Sequence, residues 1–568
     1  MPVYANPNEQ YIVNGETTET PQLQILEQCK RLSECILWRL LENFYTEGGI
    51  EAWEDIPFYI TNNRVIANAY AELTCHLLLD LLPVLDKTEP VYILEMAAGA
   101  GCFSYYFLER LFHKIAHFES LQALDVCFVM TDFSDTNFSS WESHPEFSTY
   151  KGEGKLDFAI FRPEDDPTLF LKFQQSTLSA ESLKNPILAI GNYFFDSIKH
   201  DLFKVNSGQI QEASLTFFRE LKGIATDAPV KLSQLKNLKQ MTNIGPNYYK
   251  DSKAKAVLNG YAQPNDTFLF TIPIGAFKVL KNLEQLSNGK LLLLSSDKGF
   301  SELSSLHNLG EALYTAHGDG FSMMVNYHAI SQYFENAKGR FLCTQDTRFI
   351  TSLGMMLPES MPCDFSYTTH YFKEEISHKN LFLNYVNSFP LMDPKADREP
   401  NAALQSICAF MEMHLYDPWT LYLASPQLIL IYQQLTPVQI QKILQIMEKV
   451  EPHVYFVAHR PDIWVVLGIL YYYLQRSEKA QYALSRSESI YGPTHSMLYY
   501  RALSQESLHE NEAALSTYQQ LQQLNPDCFL CKGAIERLQQ NPVLPLPKIN
   551  PLSIPYFLKA FAADISKH

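Results

Sequence analysis

Residues 91 to 104 read VYILEMAAGAGCFS. Four bulky or sheet-prone residues, Val91, Tyr92, Ile93 and Leu94, run into an acid, Glu95, and then into the small-residue turn Ala97-Ala98-Gly99-Ala100-Gly101. A short run that is apolar throughout predicts a strand buried on both faces. The segment after the turn has helical character. Glycine lets a backbone pass close to a ligand because it has no side chain to block the approach, and open α/β sheets bind ligands at the carboxyl ends of their strands. Taken alone, the stretch leaves two readings open: a ligand-binding loop, or a turn that packs a helix on a strand.

Further strand-like runs follow in alternation with helical ones: DVCFVMTD (125 to 132), LDFAIF (156 to 161), PILAIGNYFF (186 to 195), KLLLLSSD (290 to 297) and FLCTQ (341 to 345). Such alternation predicts an α/β fold with a mostly parallel sheet covered by helices. Upstream, residues 20 to 46 carry Leu23, Leu26, Leu32, Ile36, Leu37 and Leu40 at roughly helical spacing. They predict a half-buried helix, followed by a helix-rich stretch from Pro57 to Pro83. Between 200 and 275 the rhythm changes: DLFKVNSGQIQEASLTF places an Asn-Ser-Gly turn between two strand-like arms, and FLFTIP adds a strand. This region reads as an inserted hairpin and lid that helps shape a substrate pocket.

Beyond residue 371 helical periods dominate. Leu467, Gly468 and Ala480 align with Arg501, Ala502 and Ala514 at an offset of 34, with prolines near both ends, Pro493 and Pro526. That is the spacing of tetratricopeptide helix pairs, with a plain helical bundle as the alternative. The expected organisation is a helical lead-in over 1–85, an α/β domain over 86–370 with an insertion at 200–275, and a helical, tetratricopeptide-like domain over 371–568.

The 568 residues carry 45 Lys plus Arg against 62 Asp plus Glu, a formal net charge of −17. That balance disfavours general binding to nucleic acid or to an anionic membrane and leaves small ligands and proteins as partners. Ten cysteines are scattered singly apart from Cys528 and Cys531, which is neither a disulfide framework nor a two-pair zinc pattern. No basic-then-apolar leader opens the sequence and no run of about 18 apolar residues occurs. The expectation is a cytoplasmic chain, with secretion by a signal-independent route left open.

Glu95, at a strand end beside the glycines, would repel the pyrophosphate that a dinucleotide loop holds against its N–H groups, and so favours a cationic or neutral ligand. S-adenosylmethionine, with an amino group and a sulfonium, meets that requirement. Asp132, with Phe133 beside it, ends the second strand where a carboxylate takes both ribose hydroxyls; a helix cap is the alternative. At the third strand the N–H and ring of Phe161 would border an adenine, with Glu164 and Asp165 placed for its amino group. At the fourth, Asn192, Tyr193 and Asp196 face the place where a methyl group would leave, and Asn192 and Tyr193 can orient a substrate nitrogen or oxygen. His317, Asn326, Tyr327 and His328 form a later cluster, read as a loop and helix start or as a cover bearing a base. Cys528 and Cys531 read as helix packing.

In this order the stretches ILEMAAGAG, MTDFS, LDFAIF, AIGNYFFDSI and LLLLSSDKGF resemble a class I S-adenosylmethionine-dependent methyltransferase, over roughly residues 50 to 350. More narrowly they are similar to the MidA-like branch, which includes a mitochondrial protein-arginine methyltransferase needed for respiratory complex I assembly. Asn192, Phe194, Phe195 and Asp196 match that branch's fourth-strand motif, and Asp297-Lys298-Gly299 looks like its Asp-Tyr-Gly element. The motif's glutamate is Tyr193 here, its proline is Lys199, and the first loop glycine is Ala97. Carboxylates grip a guanidinium bidentately, so of the acids that would suit an arginine acceptor only Asp196 and Asp201 remain near this motif. The resemblance implies S-adenosylmethionine bound at Glu95, Ala97, Gly99, Gly101, Asp132, Phe133, Phe161 and Asn192, catalysis at Asn192, Tyr193 and Asp196, and no metal. A protein acceptor recruited by the helical domain is the expected substrate. A methyltransferase-like scaffold without turnover is the alternative, and a dinucleotide enzyme a more remote one.

Overall fold

The computed structural model describes residues 12–13, 16–17, 22–48, 62–221, 223–263, 267–307, 313–336, 339–344, 352–358, 361–376, 400–457, 461–526 and 528–540. Residues 57–61 of the expected second helical stretch and Gln345 of FLCTQ lie outside them.

At the centre is a seven-stranded sheet: β1 (Val91–Met96), β2 (Val126–Asp132), β3 (Leu156–Ile160), β4 (Ile187–Asn192), β5 (Leu291–Asp297), β6 (Gly339–Cys343) and β7 (Ser352–Pro358). Its spatial order is β3-β2-β1-β4-β5-β7-β6. The first five strands are parallel, and β7 runs antiparallel to both β5 and β6. Every residue of β1, β2 and β5 is buried, which is why these stretches read as unbroken apolar runs rather than alternating ones. Alternate side chains feed two separate cores. Ile93, Phe128 and Leu294 join one with α2 (Arg64–Leu81) and α3 (Cys102–Ile115), while Leu94, Val129 and Leu293 join the other with the helix Ile274–Leu286. From β1 the chain moves outward through β2 and β3, then returns to β4 on the other side. That reversal opens a crevice at the carboxyl ends of β1 and β4.

A second, five-stranded sheet is antiparallel. Asp201–Asn206 and Gln209–Glu220 form the expected hairpin, turned by Ser207 (φ 50°) and Gly208 (φ 81°), the paired positive φ values that a two-residue hairpin requires. Lys236–Asn243 and Thr267–Ile272 flank it. The fifth strand corrects the sequence reading: Leu23–Arg31 is extended and pairs with the far half of Gln209–Glu220, Phe218 opposite Ile25 and Glu220 opposite Leu23. The helix expected across 20 to 46 begins only at Ile36, as α1 (Ile36–Gly48). The twelve-residue strand outruns Asp201–Asn206 and leaves backbone groups to be paired, and that tertiary demand overrides the local spacing of Leu23 and Leu26.

Among the described residues the C-terminal part is helical from Pro400 to Gln540. Its last elements, α4 (Ile463–Tyr473), α5 (Ser477–Tyr491), α6 (His495–Ser507), α7 (Asn511–Leu524) and α8 (Phe529–Gln540), pack each on the next. Small residues sit where the paired helices approach: Ala480, Ala502 and Ala514 are fully buried, and a Cβ on Gly468 would lie 2.6 Å from Cγ of Leu484. Cys528 and Cys531 are buried in this packing. Among the described residues no helix is long and apolar enough to cross a membrane. Gly468→Ala is expected to lower stability by about 1–2 kcal/mol in chemical denaturation, because the overpacking against Leu484 outweighs the helix propensity that alanine adds.

Candidate functional site

A cavity of about 530 Å³ lies at the carboxyl ends of β1 to β4 and is closed on one side by α1. Its size suits a small-molecule ligand. Of the residues singled out in the sequence, Glu95, Ala97, Gly99, Asp132, Phe133, Phe161, Asn192 and Tyr193 all line it.

The turn after β1 is held in an unusual backbone conformation: Ala97, Gly99 and Gly101 have φ of 52°, 54° and 79°. Hydrogen bonds fix it from several sides. Ala98 N–H donates to the Thr131 carbonyl at 2.9 Å, Gly99 N–H to Asp132 Oδ2 at 3.1 Å, and the Trp141 indole N–H to the Gly99 carbonyl at 2.7 Å. Gly101 does not line the cavity. It turns the chain into α3 as the helix's N-cap residue, so its role is conformational rather than one of ligand contact.

Glu95 is buried at the end of β1 and accepts a hydrogen bond from Ser104 of α3. Burial, with the charge of Asp132 adding to it, pushes its carboxyl up to about 8. Asp132 is also raised by burial, against the hydrogen bonds that favour its charged form. Those bonds come from Ser134 N–H at 3.0 Å, Gly99 N–H at 3.1 Å and Asn137 Nδ2 at 3.1 Å. With the Phe133 N–H, which also favours the charged form, they take up most of the roughly four acceptor positions of a carboxylate, so Asp132 has little capacity left for both hydroxyls of a ribose. The expected role of the Phe161 N–H is corrected too: it donates to the Asp132 carbonyl at 3.0 Å, which leaves only the ring beside the cavity.

Three polar atoms on lining residues, Asn137 Oδ1, Glu164 Oε1 and Asn192 Nδ2, are buried with no hydrogen-bond partner among the described residues. Buried polar groups are nearly always paired; these three atoms have almost no accessible surface, so they lie behind the cavity wall rather than facing its open space. Asn192 is oriented by Tyr70 of α2, whose hydroxyl donates to Oδ1 at 2.9 Å.

Asp196, by contrast, is fully buried behind the wall and does not line the cavity. It accepts from the Ser197 hydroxyl at 2.8 Å, and burial pushes it up to about 6. Beside it Asp297 takes the N–H groups of Phe195 and Asp196 at 3.3 and 3.4 Å and the Tyr327 hydroxyl at 3.1 Å. Burial and the neighbouring Asp196 raise Asp297 well above the carboxylate range. Asp201 is engaged by the Tyr249 hydroxyl at 2.7 Å and lies off the cavity. Neither Asp196 nor Asp201 can therefore grip an acceptor there.

His317 and His328 pair with Ser322 and Tyr261, away from the cavity, while Asn326 caps the helix Tyr327–Glu335. Among the described residues no lining residue comes from 200–275, so the described part of that region does not cover the cavity. The cover is α1, through Trp38, Arg39, Glu42 and Tyr45, and sequence spacing identified it as a helix without linking it to the site. Tyr70 and Asn137 were also missed, since each sits within a helix and carries no local mark of a ligand role. Among the described residues no three or more His, Cys, Asp or Glu side chains are grouped to hold a metal ion.

No protein-family model and no curated protein matches the sequence. Solved structures with a similar course of the chain come from Burkholderia thailandensis. One is an uncharacterized protein at 12% identity, covering 54% of this chain and 73% of its own, with a TM-score of 0.34. Another, bound to S-adenosyl-homocysteine, has 13% identity, covers 64% and 84%, and has a TM-score of 0.35. A third is an O-methyltransferase family protein at 10% identity, covering 54% and 59%, with a TM-score of 0.24. These likenesses are too distant to bear on function.

Two outcomes follow from the geometry. Ala97→Gly removes a side chain from the left-handed region and is expected to raise stability by about 0.5–1 kcal/mol, read from urea midpoints. Glu95 is neutral in both states below its ordinary range. Between that range and about 8 the unfolded chain gives up a proton that the folded chain keeps, so stability falls as pH rises through this window. Glu95→Gln should flatten that fall by more than about 1 kcal/mol between roughly pH 5 and pH 8.

Proposed function

We propose that the chain is a class I, Rossmann-like S-adenosylmethionine-dependent methyltransferase whose cofactor occupies the cavity at the β1/β4 crevice. The observation that carries this reading is the pairing of Glu95 and Asp132 around a left-handed turn at the strand ends that line the cavity. Glu95 would face the cationic amino acid end, and ionise in doing so. Asp132 would take a ribose hydroxyl. Phe133 and Phe161 would flank the adenine.

When bound, the cofactor supplies a sulfonium-activated methyl group. The protein's part is to align a nucleophile with it and exclude water. Asn192, fixed by Tyr70, and Tyr193, held at φ 47°, would border the transfer. Asp196 and Asp297 would hold the turn that carries them. Contact between Asp297 and the Phe195 and Asp196 N–H groups unites the two motif stretches of the MidA-like resemblance and supports that narrower assignment.

The acceptor in this reading is a protein recruited by the C-terminal helix pairs, which we take to be tetratricopeptide-like because small residues recur at their contacts. Acids for a cationic acceptor would come from Glu34 and Glu42 at the exposed side of the cavity, which pair with Arg31 and Arg162 and would exchange those partners for the acceptor. Calorimetric titration with S-adenosylmethionine tests the proposal. Saturable binding is expected to the intact chain and to be weakened at least about 100-fold in the Glu95→Ala, Asp132→Ala double variant. Absence of binding by the intact chain would overturn the enzyme reading in favour of a scaffold without turnover.

A further inference from the structure

The segment that leads into α4 reaches the turn after β1 from behind. Tyr455 is buried, and its hydroxyl donates to the Ala100 carbonyl at 3.0 Å. Its ring stacks on His144 (4.3 Å between centroids, 12° between planes) and on Tyr105 (5.2 Å, 26°). A Cβ on Gly101 would stand 2.9 Å from the Tyr455 hydroxyl oxygen, so the absence of a side chain there also makes room for this contact.

Neighbouring bonds seat the same segment. Tyr105 and Tyr106 of α3 donate to the carbonyls of Pro452 and His453, each at 3.0 Å. His144 Nε2 lies 3.2 Å from the Phe456 carbonyl while its Nδ1 accepts from Glu146 N–H at 3.3 Å. Burial lowers this imidazole to about 4, and the neutral ring with its proton on Nε2 satisfies both bonds.

The other bonds that fix the turn, from Thr131, Asp132 and Trp141, come from the α/β part. The bond to Ala100 is supplied from the C-terminal part, some 355 residues away in sequence. Ala98, Gly99 and Ala100 line the cavity, so a shift of the Ala100 peptide moves backbone that the ligand would touch.

We propose that Tyr455 is a positioning residue for this turn: by holding the Ala100 carbonyl it sets the backbone against the ligand and makes cofactor affinity depend on the docking of the helical part. The affinity half of this inference rests on the cofactor reading of the cavity. It also changes what the helical part is for. Its docking segment is a component of the ligand site, and a partner that displaced it would weaken ligand binding by the same factor that the ligand opposes the partner.

The test uses the full chain, unaltered and as Tyr455→Phe and Tyr106→Phe. Both substitutions keep the ring and remove one hydroxyl-to-carbonyl bond from the same interface, but only the first touches the turn. Calorimetry with S-adenosyl-homocysteine should give roughly fivefold weaker binding for Tyr455→Phe and less than about twofold for Tyr106→Phe. Amide hydrogen exchange without ligand should show faster exchange at residues 99–103 in Tyr455→Phe alone. Equal behaviour of the two variants in either measurement, or unchanged exchange in Tyr455→Phe, overturns the proposal. If the unaltered chain does not bind S-adenosyl-homocysteine, the cofactor reading and the affinity half fall, and the exchange measurement alone decides whether Tyr455 holds the turn.

Discussion

The left-handed backbone from Ala97 to Gly101 is the constraint on which the site depends. Such a turn is not stable by itself, because Ala97 pays steric strain for its positive φ. It persists because the Asp132 carboxylate, the Trp141 indole and the Thr131 carbonyl hold it from neighbouring elements. Asp132 thus has two jobs at once. Its bond to Gly99 joins the ends of β1 and β2, its bond to Ser134 fixes the turn that follows β2, and what remains of its acceptor capacity faces the cavity. An acid that is structurally occupied on one side and open on the other is a rigid contact, which suits a ligand that must be held in one orientation.

A second constraint lies behind the opposite wall. Asp196 and Asp297 are buried side by side, an arrangement that cannot keep two full charges without cost. Protonation of Asp297, favoured by burial and by the neighbouring Asp196, together with the N–H groups of Phe195 and Asp196 and the hydroxyl of Tyr327, makes the pair tolerable. What it secures is the turn bearing Asn192 and Tyr193, where Tyr193 itself has positive φ. The acids here act on backbone, and the chemistry at the cavity is left to the side chains in front of them.

How much of this was legible depended on whether local pattern and tertiary demand agreed. The five parallel strands of the central sheet were readable because burial writes itself as an apolar run, and Glu95 and Asp132 because they end such runs; Ser352–Pro358, which pairs antiparallel at the sheet's other side, was not read. The hairpin was readable because Ser207 and Gly208 must take positive φ. Leu23–Arg31 was misread because its conformation is decided by a strand almost two hundred residues away, and its leucines happened to continue the spacing of α1. Asp196 carried the right residue type at the right strand end, yet whether a side chain points into a cavity or behind it is set by one turn's dihedral angles, which composition does not encode. Tyr70 and Tyr455 were invisible for a related reason, since each is an aromatic residue among many and acquires its role only from what the fold places opposite its hydroxyl.

The pairing of Leu23–Arg31 with Gln209–Glu220 has a consequence for how the chain is made. Arg31 and Glu212, joined across this seam, are 181 residues apart in sequence. A ribosome delivering the chain from its N-terminus would therefore expose the first strand and the apolar face of α1, with Ile36, Leu37, Trp38 and Leu41, long before their partners emerge. Early-made and late-completed segments of this kind are where nascent chains aggregate or enlist chaperones. The wall that closes the cavity is thus synthesised well before the strand it depends on and can fold only after it.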